Sequence, residues 1–401
     1  VLGSTFKVGD KVVIREGKRM PFEVRKRATF DLMLGEEPSF QEVDESTIPP
    51  SWENAYEKIM SNEKPQTVMV MGGVDSGKTS FCTYLANKAL RRKRKVAIID
   101  ADVGQSDIGP PSTIGFSRIT LPIKDLFEVE AEDACFVGST SPSGAINKVI
   151  EGLTRLKAKA LESNLNFLII NTDGWIEGED AARYKVWLTE AVAPNVVVGI
   201  QQQNELTPIL TALKEVTVLS VDSSPAILKR DRDKRRVLRE LSYKKYLKGA
   251  KVLSFPLSWV KVEGAPIGTS SLVTAEQIER VSKLMDTSIV YCEETANAVF
   301  VVLRKDQWVG EEQLKKVEEG FEKRVKIIRE GEEKGLLVAL QDLRESFLGI
   351  GVLCEVDYER RVMKVYTPVS ANVSTISFGQ IKLDKQGKET GLSTLFSNCL
   401  P

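Results

Sequence analysis

Histidine is absent from all 401 residues. That removes the commonest general base near neutral pH, every Ser-His triad and every His-ligated metal site. Chemistry in this chain falls to carboxylates, lysine, arginine, hydroxyls and bound metal. Cysteine is scarce. The five present, Cys82, Cys135, Cys292, Cys354 and Cys399, are scattered and odd in number. No C-x-x-C pair occurs, which argues against a disulfide framework or a zinc site and for buried thiols. No excess of one charge exists either, with Lys plus Arg and Asp plus Glu both at 56. Attraction for a polyanion must therefore come from a local patch. No apolar run reaches the roughly 18 to 20 residues that span a bilayer. The first residues show no basic stretch followed by an apolar one, so the expected location is the cytosol, or the nucleus in a eukaryote.

What is present describes a globular protein: 42% hydrophobic and 28% charged residues over a length that favours two or three domains. Residues 1–55 carry short alternating stretches such as Lys11-Val12-Val13-Ile14, broken by Gly9, Gly17 and Gly35. They read as a small β module closed by a Pro49-Pro50 linker. Residues 56–248 change to strand-helix alternation. Continuous apolar runs at 67–71, 96–100, 167–171, 196–200 and 216–221 suit parallel strands covered on both faces. Helical stretches over 79–94 and 181–192 lie between them, giving an α/β domain with a doubly wound parallel sheet. Residues 249–401 read as an α+β domain rich in strands. Leu314, Val317, Phe321, Val325 and Ile328 fall on one face of a helix predicted over 311–329. Strands are expected at 336–340, 348–356 and 362–367.

The sharpest motif is Gly72-Gly73-Val74-Asp75-Ser76-Gly77-Lys78-Thr79, followed by Ser80. It fits G-x-x-x-x-G-K-[ST] between a predicted strand and a predicted helix. Glycines let backbone N–H groups curl around phosphate oxygens, and the helix N-terminus adds partial positive charge. Lys78 is expected on the β- and γ-phosphates, with the Thr79 hydroxyl on Mg²⁺. The next strand ends in Asp100-Ala101-Asp102. Two carboxylates two residues apart point to one side of an extended chain, so both become candidates for the metal and the γ-phosphate.

Three further segments, Asp102-Val103-Gly104-Gln105, Gly138-Ser139-Thr140-Ser141-Pro142 and Asn171-Thr172-Asp173-Gly174-Trp175, stand in this order after the loop. Together they resemble the polynucleotide 5′-hydroxyl kinase family, the RNA kinases linked to pre-mRNA 3′-end cleavage, tRNA splicing and ribosomal RNA processing, in an archaeal-like form. Asp75 stands where that family often has Asp. The resemblance covers about residues 65–250, and more loosely 349–368. A basic segment, Lys229 to Lys248, holds ten basic residues against three acidic ones. It resembles the family's lid, a helix with the pattern R-x-x-x-x-R-x-x-x-R matched by Arg230, Arg235 and Arg239. Planar guanidinium groups suit the charge that develops on a transferring phosphoryl group.

The resemblance implies transfer of the γ-phosphate of ATP, with Mg²⁺, to the 5′-hydroxyl of RNA, with DNA as a second acceptor and RNA-processing proteins as partners. Asp102 resembles the general base. Arg230 and Arg235 would meet the transferring group, and Arg239 would dock the lid or the acceptor phosphate. Gln105 and Thr140 would contact the backbone of the terminal nucleotide, and Trp175 would stack on the first base. Two other readings share the loop: an ATPase or GTPase switch, and a scaffold that binds ATP without turnover. Met71 stands where the partitioning ATPases carry Lys, and no clear N-K-x-D guanine signature occurs.

Overall fold

The computed structural model describes the chain except residues 6, 8, 16–17, 25–26, 36–37, 228, 269–273, 296–297, 371, 394 and 396–401. Gly17 and Cys399 lie outside the described residues. Contacts divide the chain into two compact units. The first comprises 1–109, 114–132 and 142–238. The second comprises 110–113, 133–141 and 239–401.

Within the first unit the order is α1 (Pro50–Met60), β1 (Gln66–Gly72), α2 (Lys78–Arg91), β2 (Val96–Ala101) and β3 (Thr113–Ile119). After β4 (Asp133–Phe136), which falls in the second unit, come α3 (Ile146–Glu162), β5 (Phe167–Thr172), α4 (Glu179–Val192), β6 (Val196–Gln201), α5 (Thr207–Leu210) and β7 (Thr217–Asp222). The strand order β3-β2-β5-β1-β6-β7 is parallel except for β3, which runs antiparallel to β2. The expected strands and the α2 and α4 helices are all present. Their continuous apolar runs are buried along their length in β1, β2 and β5, as strands covered on both faces require. The core between sheet and helices is built on Trp52, Phe81, Leu85, Ile98, Phe167 and Val198.

The N-terminal reading needs correction. Among the described residues of 1–49 no strand forms. The Lys11-to-Ile14 alternation leaves Val13 and Ile14 exposed instead of turning them to a covered face. Four residues of alternation supply too little apolar surface to hold a strand without a partner. Side-chain pairs tie this segment down: Arg15 meets Asp125 at 2.7 Å and lies over the Phe127 ring at 3.6 Å, and Lys18 meets Asp107 at 3.2 Å. Pro49-Pro50 opens a helix rather than a linker, because proline at the first helical position has no N–H to leave unpaired. Trp52 on that helix is buried and donates its indole N–H to the Asp222 carbonyl at 2.8 Å.

Helix α6 (Arg232–Tyr246) runs from the first unit into the second. There follow β8 (Lys251–Pro256), β9 (Lys261–Glu263), α7 (Ala275–Met285), β10 (Ile289–Glu294), β11 (Ala298–Leu303), α8 (Glu311–Phe321), β12 (Arg324–Arg329), β13 (Leu336–Gln341), β14 (Phe347–Asp357), β15 (Val362–Thr367), β16 (Thr375–Leu383) and β17 (Glu389–Leu392). One sheet has the order β17-β16-β13-β14-β15-β8, with β9 beside β16, and a second has β10-β11-β12. Helices α7 and α8 supply Val281, Met285 and Val317 to the apolar cluster with Cys292, Val299, Val301 and Val325. The helix expected over 311–329 stops at Phe321. Glu322 takes a left-handed conformation, φ +52°, and the β-branched run Arg324–Arg329 pairs with β11. The apolar spacing suited a helix, but β-branched residues beside an open strand edge favour the ladder. Cys82, Cys135 and Cys292 are buried free thiols, and Cys354 is half-buried. Among the described residues no helix is long and apolar enough to cross a membrane.

Candidate active site

Parallel register explains why the motifs meet. β1 pairs β5 with Val70 opposite Asn171, and β2 pairs β5 with Asp100 opposite Asn171. The loops after β1, β2 and β5 therefore leave the same end of the sheet, beyond the strands' carboxyl ends, where open α/β sheets bind ligands.

The loop after β1 curls through Asp75, φ +56°, and Gly77, φ +100°, into the first turn of α2. Gly77 needs its missing Cβ, since that φ is strained for any L side chain. The first N–H groups of α2 have no partner within the helix and point at the loop's concavity. The Ser76 hydroxyl is buried and has no hydrogen-bond partner. Donors gathered in this way fit a polyphosphate. Lys78 is buried and donates to the carbonyls of Gly72 at 3.0 Å and Gly73 at 2.7 Å. Burial lowers its pKa, and Asp102 opposes that shift.

The two aspartates at the end of β2 have separated roles. Asp100 is fully buried. Its Oδ2 accepts the Asp107 and Ile108 N–H groups at 2.7 and 3.2 Å, and its Oδ1 accepts the Asn171 amide at 2.9 Å and the Asp102 N–H at 3.3 Å. Four donors fill a carboxylate's acceptor capacity, so Asp100 staples the loop rather than offering oxygens to a metal. Burial, with Asp107 and Asp102 nearby, pushes it up to about 7. Asp102 Oδ1 accepts Gly104 and Gln105 N–H groups at 3.2 and 3.0 Å. Burial raises the Asp102 pKa, against the pull of Lys78 and with the push of Asp173. A raised carboxylate is a stronger proton acceptor. Asn171 bridges β2 and the first turn of α2, reaching Asp100 at 2.9 Å and the Thr79 hydroxyl at 3.5 Å, while its Oδ1 has no partner.

The loop after β5 packs on the phosphate loop. A Cβ on Gly174 would lie 2.7 to 2.9 Å from Val74, backbone included, so only glycine allows this approach. Trp175 is half-buried and stacks on Tyr184, with centroids 5.5 Å apart and planes at 25°. Asp173 accepts the Trp175 N–H and the Tyr184 hydroxyl and pairs with Lys185.

The first two lid arginines converge on the phosphate loop. Asp75 accepts the Arg230 backbone N–H at 2.9 Å and its guanidinium at 3.2 Å, and Arg235 lies 3.5 Å away. Gln105 donates to the Arg235 carbonyl at 3.1 Å. Arg239 and Thr140 belong to the second unit. There Arg239 forms a bidentate pair with Glu389 at 2.5 and 2.8 Å, and Thr140 is half-buried.

Comparison with known proteins places this geometry. Residues 72–249 match the family model described as the P-loop of the mRNA cleavage and polyadenylation factor CLP1. The polyribonucleotide 5′-hydroxyl-kinase of Pyrococcus furiosus is 31% identical over 86% of this chain and 95% of its own length. The chain belongs to the polyribonucleotide 5′-hydroxyl-kinase family. The family member of Methanocaldococcus jannaschii is 29% identical over 86% of this chain and 94% of its own length. That of Danio rerio, with Clp1 in its name, is 32% identical over 48% and 46%. A solved wild-type Clp1p, in complex with Pcf11p, shares the fold at a TM-score of 0.55 and 13% identity, covering 82% of this chain and 78% of that one.

Three residues of this family member escape a motif reading: Asn171 as a bridge, and Tyr184 and Lys185 behind Trp175. Asn171 opens the Asn171-to-Trp175 segment, but its role depends on strand register. Lys185 leaves a trace in the sequence, a cation on the helix face that otherwise carries Ala181, Tyr184, Leu188 and Val192.

Proposed function

We propose that this chain transfers the γ-phosphate of ATP to the 5′-hydroxyl of RNA, and of DNA as a second acceptor, within RNA processing. The observation that carries the reading is the convergence of Lys78, Asp102, Arg230 and Arg235 around one phosphate loop. Residues Gly72 to Ser80 hold the triphosphate. Lys78, already aimed at carbonyls of the loop, exchanges those partners for phosphate oxygens. Asp102 accepts the proton of the attacking hydroxyl, for which its raised pKa suits it. Arg230 and Arg235 leave Asp75 to meet the charge on the transferring group, a contribution of about 10³ to 10⁵ in rate where such arginines are known. Thr79 and Asp102 would hold Mg²⁺, which when bound neutralises charge on the phosphates. Asp100 supports them from behind.

Gln105 serves the backbone of the acceptor's terminal nucleotide, and Trp175 stacks on its base. The pairing of Clp1p with Pcf11p supports a processing protein as partner. The test is transfer of labelled γ-phosphate to matched RNA and DNA oligonucleotides with 5′-hydroxyl ends. A switch or scaffold would leave them unlabelled, and nucleotide turnover indifferent to their presence.

A further inference from the structure

A buried charge pair stands directly behind Trp175. Lys185 is 0% exposed, and its ammonium lies 2.9 Å from Asp173 Oδ2 and donates to the Asp173 carbonyl at 2.9 Å. Asp173, 3% exposed, uses Oδ1 to accept the Trp175 backbone N–H at 2.9 Å and Oδ2 to accept the Tyr184 hydroxyl at 2.8 Å. Tyr184 is 2% exposed, and its ring is the one stacked on the Trp175 indole. Thr172, next in the chain, fastens the segment to β1 by donating to the Val70 carbonyl at 2.9 Å. One carboxylate thus holds Trp175 twice, through its backbone and through the ring beneath its side chain. An apolar pair of the same size would pack here without the desolvation cost of two ions. A buried pair that fixes two neighbours in place has a geometric consequence that an apolar pair lacks.

We propose that Asp173, Tyr184 and Lys185 form a clasp that sets the plane of Trp175 in advance for the first base of the acceptor strand. They are positioning residues and reach the nucleic acid through Trp175. The clasp rests on the reading of Trp175 as the stacking surface. Pre-organisation is the physical gain: a ring already held flat loses little freedom when a base covers it. Burial raises the Tyr184 hydroxyl far above its ordinary pKa and keeps it a donor.

The test is a double-mutant cycle on the full chain. It reads the Kd of a fluorescein-labelled 5′-hydroxyl RNA oligonucleotide by anisotropy, and the KM for RNA against that for ATP. Trp175→Ala is expected to weaken RNA binding about tenfold, the scale of one base-aromatic stack. Tyr184→Leu should weaken it roughly three- to tenfold, raise the KM for RNA and leave the KM for ATP unchanged. In the Trp175→Ala background it should add nothing. Additive losses would mean that Tyr184 acts independently of Trp175, and would overturn the clasp while keeping the stack. No loss from Trp175→Ala would remove the stacking reading itself. Tyr184→Phe keeps the ring and the fold while dropping the bond to Asp173; an RNA Kd unchanged in that variant, with Trp175→Ala still weakened, also overturns the clasp.

Discussion

Asp102 and Asp100 stand two residues apart, yet their surroundings give them different work. Asp102 has a free oxygen beyond its turn contacts, a lysine in its field and a raised pKa. Asp102→Asn should abolish phosphoryl transfer while binding of ATP without Mg²⁺, followed by equilibrium dialysis, stays within about threefold, since the amide keeps the size but not the basicity. Retained turnover in that variant would remove Asp102 from the role of base. The sign of its pH dependence follows from the same burial. The base must be ionised, so kcat/KM should fall as pH drops through the Asp102 pKa, with the acid limb above 3.8, the ordinary value for an aspartate. A limb at or below that value would show that another group controls it.

The loops and the lid act as elements. The loop of Gly174 and the phosphate loop touch so closely that a methyl group has no room. Gly174→Ala should displace both, destabilising the fold by about 1 to 3 kcal/mol and raising the KM for ATP and for RNA together. A change in only one KM would mean that the two loops move independently. At the start of the lid, Asp75 is the counter-charge that holds Arg230 and Arg235 over the phosphate loop. Arg235→Ala should lower kcat by about 10²-fold or more with less effect on the KM for ATP, because a transition-state contact is lost rather than a ground-state one. Arg235 and Arg239 were legible as part of a basic helix, whereas Arg230 precedes α6 instead of lying on it. The meeting of Arg230 and Arg235 with Asp75, 155 residues from Arg230 in sequence, was not legible.

At the scale of the whole molecule, two buried carboxylates contribute to the response to pH. Glu333 in the second unit has a buried Oε2 without a hydrogen-bond partner, and burial pushes its pKa from 4.5 up to about 7. Between those values the folded chain binds more protons than the unfolded one, so stability falls as pH rises through that window. Asp100 acts with the same sign between 3.8 and about 7. Glu333→Gln should therefore raise the thermal midpoint more at pH 8 than at pH 5. Equal shifts at the two pH values would contradict the assignment.

The strand-loop-helix character of residues 66–91, the carboxylate after β2 and the basic lid are local facts, written in a glycine spacing, apolar runs and a charge density. Sequence alone determined them because each depends on neighbours within a turn or two. The helix expected through 324–329 became a strand because a partner from β11 was available. Residues 11–14 stayed without a strand because no partner met them among the described residues. Asp100 became a staple, Asn171 a bridge and Lys185 the anchor behind Trp175 only once parallel register brought β2, β5 and the flanking helix together. Periodicity can mark which residues will be buried; which charge or donor meets them there is decided by the tertiary fold, because those partners come from distant parts of the chain.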